Sequence, residues 1–112
     1  MDREGILLNL VSEMRRGTLV LCVLASLDEP TYGYSLIEEL AGTGLPIEAN
    51  TLYPLLRRLE SQGLLQATWN TDGAKPRKYY ALTTLGGQVL TELTTQWRAT
   101  VAAMDAILKE TN

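Results

Sequence analysis

Residues 50–82 read NTLYPLLRRLESQGLLQATWNTDGAKPRKYYAL. At about 100° per residue, Leu52, Leu55, Leu56 and Leu59 fall within roughly 100° of arc, so a helix here has one apolar face. The opposite face carries Asn50, Pro54, Arg57 and Ser61, with Tyr53 and Arg58 on its flanks. Asn50 or Thr51 suits the N-cap. Pro54 then falls in or just past the first turn, where a missing N–H costs least. Gly63 closes the helix.

Two strand-like runs follow. One starts at Leu64 and Leu65 and ends near Trp69; the other is Arg77–Leu82. Between them Asn70–Pro76 holds Asp72-Gly73, a hairpin signal. Lys75, Arg77 and Lys78 put positive charge on this hairpin. A helix with a polar face, then a basic hairpin, is the layout of a winged helix-turn-helix. Its second helix enters a DNA groove, and the hairpin touches phosphates beside it.

Upstream, Ile6, Leu7, Leu10, Val11 and Met14 recur at helical spacing, which predicts a helix or arm over about 4–14. Gly17–Leu27 is apolar on nearly every side and reads as a helix buried all round. Asp28-Glu29-Pro30 is a turn. Thr31 is placed to cap the next helix. That helix has Leu36, Ile37 and Leu40 on one stripe, Glu38 and Glu39 toward water, and Gly42 and Gly44 at its end. Leu45-Pro46-Ile47 is an extended linker to the recognition helix.

Downstream, Thr83 or Thr84 caps a long final helix. Leu85, Val89, Leu93, Trp97, Val101, Met104 and Leu108 step by three or four residues along it. A small domain has too little surface to bury so long a stripe, so a second copy of the chain is expected to cover it. The organisation is then a DNA-binding unit over 1–82, with a helical arm at its start, and a dimerisation helix over 83–112. The fold class is mainly α with a small β-hairpin.

Composition narrows the chemistry. With 112 residues the chain supports one modest core, and without phenylalanine that core is built from Leu, Val, Ile, Ala and a few Tyr and Trp. There is no histidine, which removes the commonest general base and metal ligand. The single cysteine, Cys22, allows neither an intrachain disulfide nor a thiolate cluster and reads as a buried, inert thiol. Glu38 and Glu39 are adjacent on a helix and do not converge on one substrate atom. No glycine-rich phosphate loop or metal-ligand spacing occurs. No enzyme, metal or cofactor is therefore implied.

Arg15-Arg16 before Leu19–Leu27 mimics a secretory signal, but Asp2, Glu4 and Glu13 precede it. The apolar run is too short to span a bilayer. A cytoplasmic protein with no membrane role is expected.

The formal net charge is −3. Residues 50–80 nevertheless carry five cations, Arg57, Arg58, Lys75, Arg77 and Lys78, against Glu60 and Asp72, a surplus of three. The remainder is then six acids in excess. An acidic body with one basic edge steers DNA to that edge and repels it elsewhere. The competing reading is a winged-helix protein-interaction module without DNA binding, since fold alone does not fix function.

Four segments, in order, resemble the PadR family of bacterial transcriptional regulators. They are Tyr32-Gly33-Tyr34-Ser35-Leu36, Thr51-Leu52-Tyr53-Pro54, Arg58-Leu59-Glu60-Ser61-Gln62-Gly63-Leu64, and Arg77-Lys78-Tyr79-Tyr80-Ala81-Leu82-Thr83 with Gly86. The resemblance runs from about Gly17 to Leu108 and implies a homodimer on a palindromic operator, repressing a gene until a small molecule relieves it. By position it puts Tyr53 and Arg57 on the recognition helix and Lys75, Arg77 and Lys78 on the wing. The full expected DNA face is Asn50, Thr51, Tyr53, Arg57, Arg58, Lys75, Arg77 and Lys78. Multidrug-sensing relatives place a tryptophan similar to Trp97 between subunits, where it stacks on flat drugs. Trp97 is accordingly the expected contact for a planar aromatic effector, with Ala99, Ala102 and Ala103 leaving space nearby.

Overall fold

The computed structural model describes Asp2–Lys109. Helix α1 (Arg3–Arg16) begins where the Asp2 carboxylate accepts a 2.8 Å hydrogen bond from the Gly5 N–H. It is slightly longer than the expected 4–14, and none of its residues is buried. Ile6, Leu7, Leu10 and Met14 are exposed, so the predicted stripe exists without a cover from the rest of the described chain.

Helix α2 (Leu19–Ala25) corrects the expectation of a helix buried all round over Gly17–Leu27. Only Val23 and Leu24 are buried within it, joined by Leu27 beyond its end. Leu19, Val20 and Cys22 are half-buried at the edge of the core, so the thiol is not fully buried either.

Thr31 does not cap the next helix. It and Tyr32 form strand β1 (Thr31–Tyr32), paired with Tyr80 and Tyr79. The Thr31 hydroxyl donates back to the Glu29 carbonyl at 2.9 Å. Helix α3 (Gly33–Ala41) therefore starts from Tyr32, without a side-chain cap.

Helix α4 (Ala49–Ser61) likewise starts earlier than Asn50 or Thr51 would allow as caps. The Glu48 carbonyl already accepts from the N–H groups of Thr51 and Leu52, at 3.0 and 2.9 Å. Asn50 and Thr51 thus sit inside the first turn, and Pro54 sits in the second. At the far end Gly63 takes φ +81°. Its N–H donates to Glu60 and the Leu64 N–H to Leu59, both at 3.0 Å, which is a Schellman stop.

Strands β2 (Leu65–Asn70) and β3 (Arg77–Leu82) pair antiparallel from Leu65↔Leu82 to Asn70↔Arg77. The sheet has three strands, in the order β1-β3-β2, where the sequence predicted a two-stranded hairpin. In the loop, the Asn70 side-chain oxygen accepts from the Asp72 N–H at 2.9 Å and tightens the turn.

Of the two candidate caps for helix α5 (Thr84–Lys109), Thr83 performs the role. Its hydroxyl accepts from the Gly86 N–H at 3.0 Å and donates to the Gly63 carbonyl at 2.6 Å, tying α5 to the end of α4. Gly86 is buried, and a Cβ there would collide with the Leu64 carbonyl oxygen. The long stripe divides. Val89, Leu90 and Leu93 pack against the core of the chain. Trp97, Val101, Met104 and Leu108 stay exposed, as does Leu85 at the start. The core itself joins Val23, Leu24 and Leu27 to Leu36, Leu40, Ile47, Leu52, Leu56, Leu59, Leu65 and Tyr80. It therefore fixes α3, α4 and the sheet as one unit.

Candidate nucleic-acid interface

The polar side of α4 faces outward because Leu52, Leu56 and Leu59 are buried beneath it. Asn50, Thr51, Pro54, Arg57, Arg58 and Ser61 are all exposed. The Arg57 and Arg58 side chains have no hydrogen bond or ion pair among the described residues. Tyr53 differs from its neighbours. It is half-buried, and its ring lies against Gly33, where a Cβ would come within 2.5 Å of Cε1. The residue thus joins α4 to α3 and presents only part of its ring to the outside.

The three cations of the wing occupy three different environments. Lys75 is exposed in the loop, with no partner among the described residues. Arg77 is exposed but held: its Nη1 donates to the Tyr32 hydroxyl at 3.1 Å, and the guanidinium lies 4.9 Å from the centre of that ring. Tyr79 meets Tyr32 edge-on with ring centres 5.3 Å apart. This stack fixes the guanidinium while leaving most of its N–H groups free to donate. Lys78 lies on the opposite face of β3. Its Nζ is 3.6 Å from Glu60 Oε1 and 5.4 Å from the Tyr80 ring centre, so a carboxylate on α4 already answers its charge.

Sequence reading missed two participants, Tyr32 and Glu60. Tyr32 belongs to a motif segment, but only the pairing of β1 with β3 brings it to Arg77. Glu60 occupies a flank position on α4, and its link to Lys78 depends on the hairpin folding back along that flank.

Trp97 lies away from this face. It is 43% exposed and borders an apolar groove of about 640 Å³ formed by the end of α1, by α2, by the α3–α4 linker and by α5. Met14, Leu21, Cys22, Leu45, Val101 and Met104 are among its walls. Ala99, Ala102 and Ala103 are not, so the space beside Trp97 is made by α1 and α2 rather than by those small residues.

The model of the transcriptional regulator PadR-like family matches residues 20–92 of the chain. Among solved structures, a PadR family transcriptional regulator from Eggerthella lenta is 54% identical, with a TM-score of 0.90, covering 97% of this chain and 96% of its own. A PadR-like transcription factor from Bacteroides fragilis is 39% identical with a TM-score of 0.72, covering 88% and 98%. A transcriptional regulator of Mycobacterium tuberculosis is 35% identical over 81 residues, 71% of this chain and 76% of its own. These relatives are regulators, not enzymes. No helix among the described residues is long and apolar enough to cross a membrane. The mainly helical architecture with its small antiparallel sheet, the outward polar face of α4 and the family match over residues 20–92 agree: this chain belongs to the PadR-like family of transcriptional regulators.

Proposed function

We propose that the chain is a sequence-specific repressor that binds a palindromic operator as a homodimer and is released by a planar aromatic ligand. The observation that carries this reading is the outward face of α4. It offers Asn50, Thr51, Arg57 and Arg58 unburied, beside a wing carrying Lys75 and Arg77, on a chain whose net charge is −3. Arginine at the centre of a groove-facing helix suits guanine O6 and N7, and the wing cations suit phosphate. Residues 83–112 supply the dimer contact in this reading. The exposed Val101, Met104 and Leu108 meet their copies, so two recognition helices present themselves to two half-sites.

The experiment is selection of genomic fragments by the purified protein, followed by sequencing. A shared inverted repeat between genes is the expected result, with binding to it lost preferentially in Arg57→Ala. Retention of unrelated fragments with no common repeat, and equal affinity for random duplex, would overturn sequence-specific repression.

A further inference from the structure

A helix lying in a groove has a phosphate strand on each side of it. On α4 the buried Leu52, Leu56 and Leu59 set the inward direction. At about 100° per residue, Tyr53 and Glu60 then fall on one flank and Thr51, Leu55 and Arg58 on the other. The Lys78–Glu60 ion pair places the wing along the first flank. The wing cations therefore serve only one side of the helix.

The second flank borders a cleft of about 330 Å³ between α4 and the junction of α1 with α2. Arg16, Thr51 and Arg58 stand around it, over a floor that includes Val20, Pro54 and Leu55. All three polar residues are exposed, and no acidic residue lines the cleft. Neither guanidinium has a hydrogen bond or ion pair among the described residues. In a chain with more acids than bases, two unanswered arginines and a hydroxyl around one cleft make a local anion-binding site. The apolar floor supports their methylene stems while the charged heads face out.

We propose that this cleft is a second phosphate-contact surface, in which Arg16 from outside the helix-turn-helix grips the DNA strand opposite the wing. The inference rests on the DNA-binding reading above and extends its footprint to the α1–α2 junction. Arg16 also sits in the last turn of α1, where a cation complements the helix dipole. The test separates that role from DNA contact.

Binding to a long mixed-sequence duplex is measured at several salt concentrations for wild type, Arg16→Ala, Arg16→Lys and Lys75→Ala, with the thermal midpoint of each variant. Arg16→Ala should flatten the slope of log K against log[salt] by roughly 0.9 for each Arg16 that leaves a phosphate. Arg16→Lys should retain the slope. Arg16→Ala with Lys75→Ala should lose the sum of both effects, because the two lie on opposite flanks. A wild-type slope in Arg16→Ala, beside a flattened slope in Lys75→Ala, would overturn the proposal and leave Arg16 to the α1 terminus. Absence of duplex binding by wild type at low salt would instead overturn the DNA-binding reading itself.

Discussion

The Tyr53 ring occupies the space that a side chain on Gly33 would need: a Cβ there would lie 2.5 Å from Cε1 and 3.0 Å from the hydroxyl oxygen. This contact sets how closely α3 approaches α4. Gly33→Ala forces the ring or the helix to move, and overpacking of this kind costs about 1–3 kcal/mol. Better helix propensity offsets up to about 1 kcal/mol. With that offset in full the expected net loss in urea denaturation is about 0–2 kcal/mol, and without it about 1–3 kcal/mol. Gly33→Ala with Tyr53→Ala should cost less than the two single losses added, because removing the ring removes the clash. A Gly33→Ala protein as stable as wild type would show that the ring swings aside freely.

Leu93 and Met104 share a stripe on α5 but have different surroundings. Leu93 packs against the core of the chain, while Met104 is 47% exposed beside other uncovered apolar residues. Leu93→Asp should therefore unfold the protomer, since it places a charge against apolar packing. Met104→Asp should leave each protomer folded and separate the two copies. Sedimentation and circular dichroism at micromolar concentration distinguish these outcomes: dimeric wild type, folded monomeric Met104→Asp, and Leu93→Asp with lost helicity. A dimeric Met104→Asp protein would place the subunit contact elsewhere.

That division of the stripe marks how far periodicity carries. The spacing of Leu85 to Leu108 predicts one apolar face, and the helix indeed runs Thr84–Lys109. Spacing does not say what covers each turn; that depends on the core reaching only Val89, Leu90 and Leu93 along α5. The α4 helix was legible for the same reason, since Leu52, Leu56 and Leu59 mark its buried side. Its start was not, because the Glu48 carbonyl begins the ladder without any capping side chain. Strand β1 was hidden by its length: two residues show no alternation. Through it Tyr32 reaches Arg77 across a separation of 45 residues, a contact that no local pattern encodes. Gly86 shows the reverse case. Its place in the motif was plain, and the nearby Leu64 carbonyl supplies the physical reason for a glycine.

The Lys78–Glu60 pair leads to an expectation opposite in sign to most charge deletions. At 3.6 Å, with both side chains about one-third exposed, the pair is a partly screened surface bridge, so it adds little to stability. In the DNA-binding reading proposed above its consequence is larger, because the carboxylate would repel phosphate and hold the ammonium back. Glu60→Gln should tighten binding to any duplex and steepen the salt slope by roughly 0.9 for each Lys78 that gains a phosphate. Lys78→Ala should flatten the slope less than Lys75→Ala does. If Glu60→Gln weakens binding instead, Glu60 orders the wing against α4 and its negative charge is secondary.

Trp97 offers a direct optical test of ligand relief. The groove beside it, at about 640 Å³, lies in the range that encloses a drug-sized molecule. Its walls come from α1, α2 and α5, with Leu45 of the α3–α4 linker, so a ligand there wedges between the core-anchored α2 and the exposed half of α5. In the homodimer proposed above, a change in the angle of α5 alters the distance between two recognition helices. Half-sites demand a separation of about 34–36 Å. Binding in the groove would thus loosen DNA through linkage, without contact with the DNA face. Stacking on the indole contributes about 0.5–1.5 kcal/mol beyond area burial. Trp69, at the hairpin, is the only other indole in the chain. Trp69→Phe should keep the fluorescence quenching caused by planar aromatic compounds, and Trp97→Ala should lose it, with affinity falling by about one order of magnitude at most if stacking is the main loss. The same compounds should release wild type from its operator and spare Trp97→Ala at matched concentration. Equal ligand affinity in Trp97→Ala would make the tryptophan part of the dimer packing and move the effector site away from this groove.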